Sequence, residues 1–248
     1  AILPQTTTFG SESVFESATT TYVSAIFDSD SNRAVVTYQD NGNSNYGTAV
    51  VGTVSGTSIS WGTPVVFEAA HTEWTSATFD SDSNQVVIAY KDAANSGYGT
   101  AIVGTVSGTS ISYGTAVVFE SADTREISAT FDSDSNKVVI AYSDWGNSDY
   151  GTGIVGTVSG TSISFGTAVV FESATVAHTS ATFDSNENKV VISYTDSGNS
   201  DYGTSIVGTV SGTSISFGTA VVFNAFEAVE IASTYDSTAQ KVVISYMD

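Results

Sequence analysis

Residues 131–171 read FDSDSNKVVIAYSDWGNSDYGTGIVGTVSGTSISFGTAVVF, and close copies of this stretch recur along the chain at a fixed spacing. The opening motif starts at Phe27, Phe79, Phe131 and Phe183, and as YDSTAQ at Tyr235, each time 52 residues further on. A period of this length is typical of propellers and other arrays, in which each repeat is one supersecondary unit. The repeat therefore predicts one array rather than several unrelated domains.

Each repeat contains four segments rich in Val, Ile, Thr and aromatic residues, separated by turns of Asp, Ser, Asn and Gly. In the third copy these segments cover residues 127–131, 137–142, 150–158 and 162–171. Runs of this kind predict short strands, and four antiparallel strands make one propeller blade. The segment KVVISY is apolar at nearly every position, which indicates a strand whose two faces are both buried.

Two residue types predict the order of the strands within a blade. Pro64 lies in SISWGTPVVF, and proline cannot donate to a sheet ladder, so this segment is expected at the outer edge. The segment SATFD is built of small residues that fit a crowded axis, so it is expected innermost, with KVVISY second and GTAIVGTVS third. Trp61 aligns with Tyr113 and Phe165 and is predicted to pack between blades.

The copies together predict an all-β fold, a single five-bladed β-propeller domain over residues 1–248 with four antiparallel strands per blade. Four copies are complete, and the fifth lacks the equivalent of residues 41–52. The N-terminal segment TTTFGSESVF, residues 6–15, aligns with the outer segment SISFGTAVVF. We therefore expect it to supply the outer strand of the C-terminal blade and to close the ring, which removes free sheet edges.

The charge and cysteine content exclude several classes of partner. The chain has 26 acidic and 6 basic residues, a net charge of −20, and such a field repels phosphate backbones and anionic lipid. We expect no nucleic-acid partner and no membrane insertion, and a monomer. The absence of cysteine excludes disulfides and thiolate metal sites, and we expect no cofactor and no metal.

The DSDSN segment between the first two strands is similar to an oxygen-rich calcium loop. A calcium loop of that type also needs a glycine and a later acidic ligand, and both are missing. Asp, Ser and Asn are the residues that a tight hairpin uses to bond its own backbone, so we interpret the segment as a turn.

The loop between the second and third strands repeats a carboxylate, an amide and an aromatic ring. The residues are Asp40, Asn43 and Tyr46; Asp92, Asn95 and Tyr98; Asp144, Asn147 and Tyr150; and Asp196, Asn199 and Tyr202. Hydrogen-bonding groups beside an aromatic platform can bind a sugar. The alternative is a turn that bonds its own backbone, with the tyrosine covering the end of the blade.

One position just before the innermost strand varies among the copies, in a short window that diverges while the rest of the repeat is nearly identical. It holds Tyr22, Trp74, Glu126, His178 and Glu230. By topology these residues lie around the mouth of the axial channel, where five unlike side chains could form one asymmetric pocket with Trp145 at its rim. The alternative is drift in exposed loops.

The predicted architecture resembles five-bladed lectin propellers of the tachylectin type, which are also built from near-identical tandem blades. The motif YGTGIVGTVSGTSISFGTAVVF, residues 150–171, departs from the tachylectin signature. It is more similar to repeats of unassigned function in marine secreted or phage-associated proteins. No sugar contacts are therefore carried over from that family.

These patterns favour a non-enzymatic binding module that recognises glycans or a surface receptor outside the cell or on a virion. Several weak sites on one molecule give an avidity above any single affinity. One alternative is a structural or display scaffold without a small ligand. The other is a glycosidase, which needs two carboxylates placed on the axis.

Overall fold

The computed structural model describes residues 9–248, and its regular structure is almost entirely antiparallel β-sheet. We divide it into units that follow the 52-residue repeat: unit 1 is residues 20–71, unit 2 is 72–123, unit 3 is 124–175, unit 4 is 176–227 and unit 5 is 228–248. In this part of the chain no helix is long and apolar enough to cross a membrane.

The strands recur with matching bounds from unit to unit. They are β1 (Thr20–Asp28), β2 (Arg33–Asp40), β3 (Tyr46–Ser55), β4 (Ser58–Trp61), β5 (Val65–Asp80), β6 (Gln85–Asp92), β7 (Tyr98–Ser107), β8 (Ser110–Tyr113), β9 (Val117–Asp132), β10 (Lys137–Asp144), β11 (Tyr150–Ser159), β12 (Ser162–Phe165), β13 (Val169–Asp184), β14 (Lys189–Asp196), β15 (Tyr202–Ser211), β16 (Ser214–Phe217), β17 (Val221–Glu227), β18 (Val229–Asp236) and β19 (Lys241–Met247). Short 3₁₀ helices cover Asn41–Asn43, Trp145–Asn147 and Ser197–Asn199.

The pairing order within a unit is the one predicted. In unit 3 the end of β9 pairs with β10, β10 pairs with β11, and β11 pairs with both β12 and the beginning of β13, always antiparallel. The first strand of each unit also contacts the first strand of the next unit, from β1 to β5, β9, β13 and β18. The predicted pairing order of the four strands is therefore confirmed for units 1 to 4.

The outer strand differs from the prediction, because it is broken into two pieces. Between β12 and β13 the chain leaves the ladder at Gly166, where an added Cβ would lie 1.8 Å from the carbonyl oxygen of Thr213 in the next unit. Close approach of two backbones requires glycine at this position. Pro64 lies in the equivalent break between β4 and β5, where no ladder hydrogen bond is lost.

Each long strand belongs to two units. In β5 the first residues, 65–71, pair with β3 of unit 1, and the following residues, 72–80, pair with β6 of unit 2. β9 and β13 are shared in the same way. Successive units are therefore joined by continuous strands rather than by loops.

Neighbouring units pack face to face through their second strands. Between units 2 and 3, Val87 on β6 shares a buried cluster with Val138 and Ile140 on β10. The ring of Phe119, from the outer strand of unit 2, lies 5.3 Å from the ring of Tyr142 in unit 3. The second strand of unit 3 is thus covered on both faces, as predicted for the segment KVVISY. In unit 5 the same segment is partly exposed.

Serine side chains link the first strands of successive units. The Oγ atoms of Ser24, Ser76, Ser128 and Ser180 each accept the backbone N–H of a residue 53 positions later, at distances of 2.8 to 3.1 Å. The small residues predicted for the innermost strand therefore link successive units by hydrogen bonds.

The predicted closure by residues 6–15 falls partly outside the described residues. Residues 9–15 form no strand, yet the ring of Phe15 packs on Tyr38 and Trp61 with centroids 5.2 and 5.6 Å apart. This contact agrees with a packing role for Trp61. Within residues 9–248, no contact comparable to those between successive first strands joins β18 to β1.

Candidate functional site

The variable position identified in the sequence lies on a β-bulge in every unit. The register between the first and second strands shifts there, for example between Arg125 and Ser128 in β9. The bulge residue has a left-handed backbone in all five copies: Tyr22 (φ 51°), Trp74 (52°), Glu126 (52°), His178 (49°) and Glu230 (51°). We call these five the bulge residues. A bulky side chain in this conformation costs about 1–2 kcal/mol.

The other left-handed positions in residues 9–248 hold Gly or short polar residues, with Gln240 as the one longer side chain. The hairpins after the first strands place Asn32, Asn84, Asn136 and Asn188 at positive φ. The turns before the outer strands use Gly56, Gly108, Gly160 and Gly212. The bulges instead carry aromatic, acidic and imidazole side chains, against the local preference. Sequence reasoning found these positions from their variability but had no signal for their backbone conformation.

The bulge residues approach one another across unit boundaries. The rings of Tyr22 and Trp74 are 5.1 Å apart at an interplanar angle of 47°. The Oε2 atom of Glu126 accepts the backbone N–H of His178 at 2.7 Å. Glu230 is exposed and lies close enough to Glu126 to act on it electrostatically. At the same end of the first strands, the bulges of units 1 and 2 thus form an aromatic pair, and those of units 3 to 5 form a polar group.

The pKa values of two bulge residues, Glu126 and Tyr22, are raised, so both side chains hold their protons more tightly. Burial raises the pKa of the Glu126 carboxyl above its ordinary value; the His178 N–H opposes this and Glu230 adds to it. Burial also raises the pKa of Tyr22, and the charge of Glu73 adds to the effect. The Tyr22 hydroxyl therefore remains protonated and able to donate a hydrogen bond.

A network of ion pairs lies beside the bulges of units 2 and 3. The Nζ atom of Lys91 is 3.2 Å from Oε2 of Glu73 and 2.8 Å from Oδ1 of Asp123. The Nη2 atom of Arg125 is 3.1 Å from Oδ2 of Asp123. Burial alone would raise the pKa of Asp123, but Lys91 and Arg125 outweigh it and lower the pKa. The positive charges of Lys91 and Arg125 are therefore largely balanced by the carboxylates that they contact.

Sequence reasoning did not select Lys91. It occupies a position on the second strand that holds Gln39, Ser143 and Thr195 in other units, so it also varies within the period. The Gln39 side chain donates to the Thr72 carbonyl, and the Ser143 hydroxyl to the Asp149 carbonyl at 3.2 Å. Comparing the copies at this position would have identified the residue.

Trp145 lies next to the ion-pair network. The guanidinium carbon of Arg125 is 3.5 Å from the centroid of the Trp145 ring, a cation–π contact. The Trp145 side chain is 49% exposed. Its loop is at the same end of the strands as the bulges, because Asp144 pairs with Thr124, two residues before Glu126. The structure therefore places the predicted rim residue beside the bulge region of unit 3.

The repeated loop residues divide into two groups. The carboxylates hold their own turns: Oδ1 of Asp40 accepts the Asn43 N–H at 3.1 Å, Asp92 accepts that of Asn95 at 3.0 Å, and Asp196 that of Gly198 at 3.0 Å. Asp144 occupies the same position in its unit, but its side chain makes no capping hydrogen bond. The amides and rings are freer. The side chains of Asn43, Asn95, Asn147 and Asn199 are exposed, and Tyr46, Tyr98, Tyr150 and Tyr202 are half-buried at the start of the third strands. Their role in ligand binding stays a prediction.

The DSDSN hairpins lie at the opposite end of the first strands and have the hydrogen bonds of a turn. The Oδ1 atom of Asp132 accepts the N–H groups of Asp134 and Ser135, each at 3.0 Å. The other four units repeat this pattern. Across residues 9–248, no group of three or more His, Asp or Glu side chains is close enough to hold a metal ion, and no pocket is enclosed.

Solved structures with related folds include a lectin and a galactanase. A variant of AofleA from Arthrobotrys oligospora matches with a TM-score of 0.58 at 8% identity, over 90% of this chain and 63% of that one. The SapL1 lectin in complex with alpha methyl fucoside matches with a TM-score of 0.55 at 14% identity, over 91% and 71%. An exo-beta-1,3-galactanase from Phanerochaete chrysosporium matches with a TM-score of 0.53 at 9% identity, over 92% and 60%.

These likenesses concern the fold alone: this chain is all-β, and its structural neighbours have propeller-like folds. This chain spans less than two thirds of the length of the AofleA variant and of the galactanase. No protein-family model and no curated protein sequence matches the chain.

Proposed function

We propose that the chain is a non-enzymatic carbohydrate-binding module built as a propeller of five blades, one blade per unit. In this proposal the bulge residues contact the ligand, with Trp145 and the exposed loop amides at the rim. The natural partners are glycans or a glycosylated surface receptor, met outside the cell or on a virion.

The observation that carries the proposal is the choice of residues at the five bulges. Left-handed positions in the turns hold Gly, Asn, Ser or Asp, and Gln240 in unit 5, whereas the bulges hold Tyr22, Trp74, Glu126, His178 and Glu230. Backbone strain that is retained in every copy is typical of positions where the side chain has a functional role.

The chemistry of the bulge residues suits a sugar. The paired rings of Tyr22 and Trp74 offer an apolar platform for the C–H face of a pyranose. The Glu126 carboxyl and the His178 ring can bond to hydroxyl groups. The lectin neighbour with a bound fucoside supports the same ligand class. The net charge of −20 disfavours polyanionic glycans.

A glycan array at two salt concentrations, with and without calcium, tests the proposal. We expect binding of neutral glycans, and Trp74→Ala should weaken it by about tenfold or more, as for a central aromatic contact. The matched control is Trp61→Phe, because Phe165 already occupies the equivalent packing position. An array without signal would favour a structural or display scaffold, and equal losses in both variants would contradict a site at the bulges.

A second candidate, a glycosidase, is favoured by the carboxyls of Glu126 and Glu230. Burial raises the pKa of Glu126, as a general acid requires, and a second carboxyl lies nearby. Hydrolysis of aryl glycosides or galactan oligosaccharides would reveal such an activity. If activity is found, Glu126→Gln and Glu230→Gln should each abolish it while leaving binding of the intact glycan detectable.

A further inference from the structure

Units 2 and 3 carry a set of side chains that the other units do not repeat. The set, which we call the unit 2–3 strip, consists of Glu73, Lys91, Asp123, Arg125 and Trp145. Other copies hold uncharged residues at the equivalent positions: Gln39, Ser143 and Thr195 for Lys91; Thr21, Ala177 and Val229 for Arg125; and Asn41, Ala93 and Ser197 for Trp145. Because most of the repeat is nearly identical, these differences point to one local function rather than to the repeated scaffold.

The unit 2–3 strip is a continuous chain of contacts between two aromatic groups. Its four charged side chains are joined by N–O distances of 3.2, 2.8 and 3.1 Å. At one end Glu73 precedes the bulge residue Trp74, whose ring pairs with that of Tyr22. At the other end the guanidinium carbon of Arg125 lies 3.5 Å from the centroid of the Trp145 ring. The strip therefore joins the aromatic pair of the bulges to a further ring in unit 3.

The surface between the two aromatic groups is open, polar and balanced in charge. The four charged side chains of the strip are between 11% and 36% exposed. Its two carboxylates and two cations pair with one another, which leaves no net charge to attract an ionic ligand. Carboxylate oxygens and guanidinium N–H groups can still bond to hydroxyl groups. A neutral, hydroxyl-rich ligand suits this surface best.

The Trp145 ring is held in place before any ligand binds. The Arg125 guanidinium covers one face of the indole, and Asp123 in turn holds the guanidinium through Nη2. Even so, Trp145 is 49% exposed. A side chain that is already ordered loses less conformational entropy on binding. Trp145 is therefore a preorganised apolar platform beside polar groups.

We propose that the unit 2–3 strip extends the bulge site, so that the chain binds a neutral oligosaccharide with one sugar at the bulges and a further sugar on Trp145. This inference rests on the proposed function and narrows its ligand to a chain of at least two sugars. Arg125 and Asp123 are positioning residues that act through Trp145. Since units 1, 2 and 4 have no aromatic residue at the position of Trp145, the extended site occurs once per chain. This departs from the several weak sites expected from the repeat.

Titration calorimetry with neutral probes of two lengths tests the proposal. The short probes are the methyl glycosides of glucose, galactose and mannose, and the long probes are linear tetrasaccharides of the same sugars. We expect a tetrasaccharide to bind about tenfold or more tightly than its methyl glycoside, with one site per chain. In Trp145→Ala this advantage should disappear, whereas the affinity for the methyl glycoside should stay unchanged.

Two variants are the controls for this comparison. Ser197→Ala changes the equivalent loop position in unit 4 and should leave both affinities unchanged. Trp74→Ala removes part of the bulge platform and should weaken the binding of both kinds of probe.

The outcomes separate the extension from the proposed function. Three results would overturn the extension alone: tetrasaccharides that bind no more tightly than methyl glycosides, a full tetrasaccharide advantage in Trp145→Ala, or an equal loss for both probes in that variant. Absence of binding by every probe would overturn the extension and the proposed function together.

Arg125→Lys tests the positioning role. Lysine keeps a positive charge beside Asp123 but has no planar group to stack on the indole. We expect the tetrasaccharide affinity to fall severalfold, with no change for the methyl glycoside. A purely structural role would weaken both probes alike, and that result would overturn the positioning of Trp145 by Arg125.

Tryptophan fluorescence tests the contact with Trp145 directly. The chain contains three tryptophans, so Trp61→Phe/Trp74→Phe leaves Trp145 as the only one and keeps a ring at position 74. A saturating tetrasaccharide should reduce the acrylamide quenching of this indole about twofold, because stacking covers the exposed part of the ring. The methyl glycoside should leave the quenching unchanged. Equal quenching with and without bound tetrasaccharide would overturn the proposal.

Discussion

The hairpins and the bulges lie at opposite ends of the same first strands, and they use left-handed backbone in opposite ways. In the hairpins, Asn136 and its equivalents occupy positive φ, and Asp132 binds the turn with two hydrogen bonds. At the bulges the same conformation is imposed on Trp74, Glu126 and other bulky residues. The hairpin residues are constrained by their own backbone, whereas the residue type at the bulges varies among the units.

The largest effect is expected from a variant that removes the side-chain hydrogen bonds of one hairpin. Asp132→Ala deletes the acceptor of two backbone N–H groups and should lower the free energy of unfolding by about 2 kcal/mol. Denaturant unfolding measures it, and Asp134→Ala is the control, because its exposed side chain makes no hydrogen bond of this kind. Glycan binding should be unchanged in both variants. Comparable losses of stability would contradict the assigned role of Asp132.

A smaller effect of opposite sign is expected at a bulge. Glu230→Gly removes the side chain that is unfavourable at φ 51° and should raise the free energy of unfolding by about 0.5–1 kcal/mol. Glu230→Ala keeps the unfavourable conformation and should give no comparable gain. Thermal unfolding of the pair distinguishes strain from simple loss of a carboxylate; equal stabilities would show that the bulge is unstrained.

The smallest effect is a pH dependence that arises at one bulge. Because burial raises the pKa of Glu126, the folded chain holds this proton more tightly than the unfolded chain, whose glutamate titrates near 4.5. The resulting stability is present below that value and is lost as the pH rises through the folded pKa. Glu126→Gln should make the free energy of unfolding less dependent on pH between about 4 and 7. An unchanged slope would contradict the burial of this carboxyl.

Most of the fold was predictable, because it follows from local composition repeated at one period. The runs around Val138 and Ile154 are β-branched, and the turns between them hold Asp, Asn and Gly, so strand bounds in unit 3 are close to those expected. The outer strand was not fully predicted, since the break at Gly166 depends on a turn in the next unit. Closure of the array remains a prediction, because it depends on contacts between distant units.

The candidate site was predictable in position but not in geometry. Comparing copies singled out Glu126 and His178, because they lie in a short window that diverges while most of the repeat is nearly identical. The hydrogen bond between them joins a side chain to a backbone N–H in the next unit, and sequence spacing does not encode such a contact. Lys91 was overlooked because it lies inside an otherwise regular strand.

Because the long strands β5, β9 and β13 each span two units, the 52-residue sequence repeat is not a piece that can be cut out as an intact fold. Each is hydrogen-bonded to one sheet over its first half and to the next sheet over its second half. A protease cut or a designed truncation at a repeat boundary, such as between residues 71 and 72, would divide a single strand and disturb two sheets together. Loss of order in one unit should therefore spread to its neighbour, and shortened arrays that retain whole long strands should survive better than arrays cut at the period.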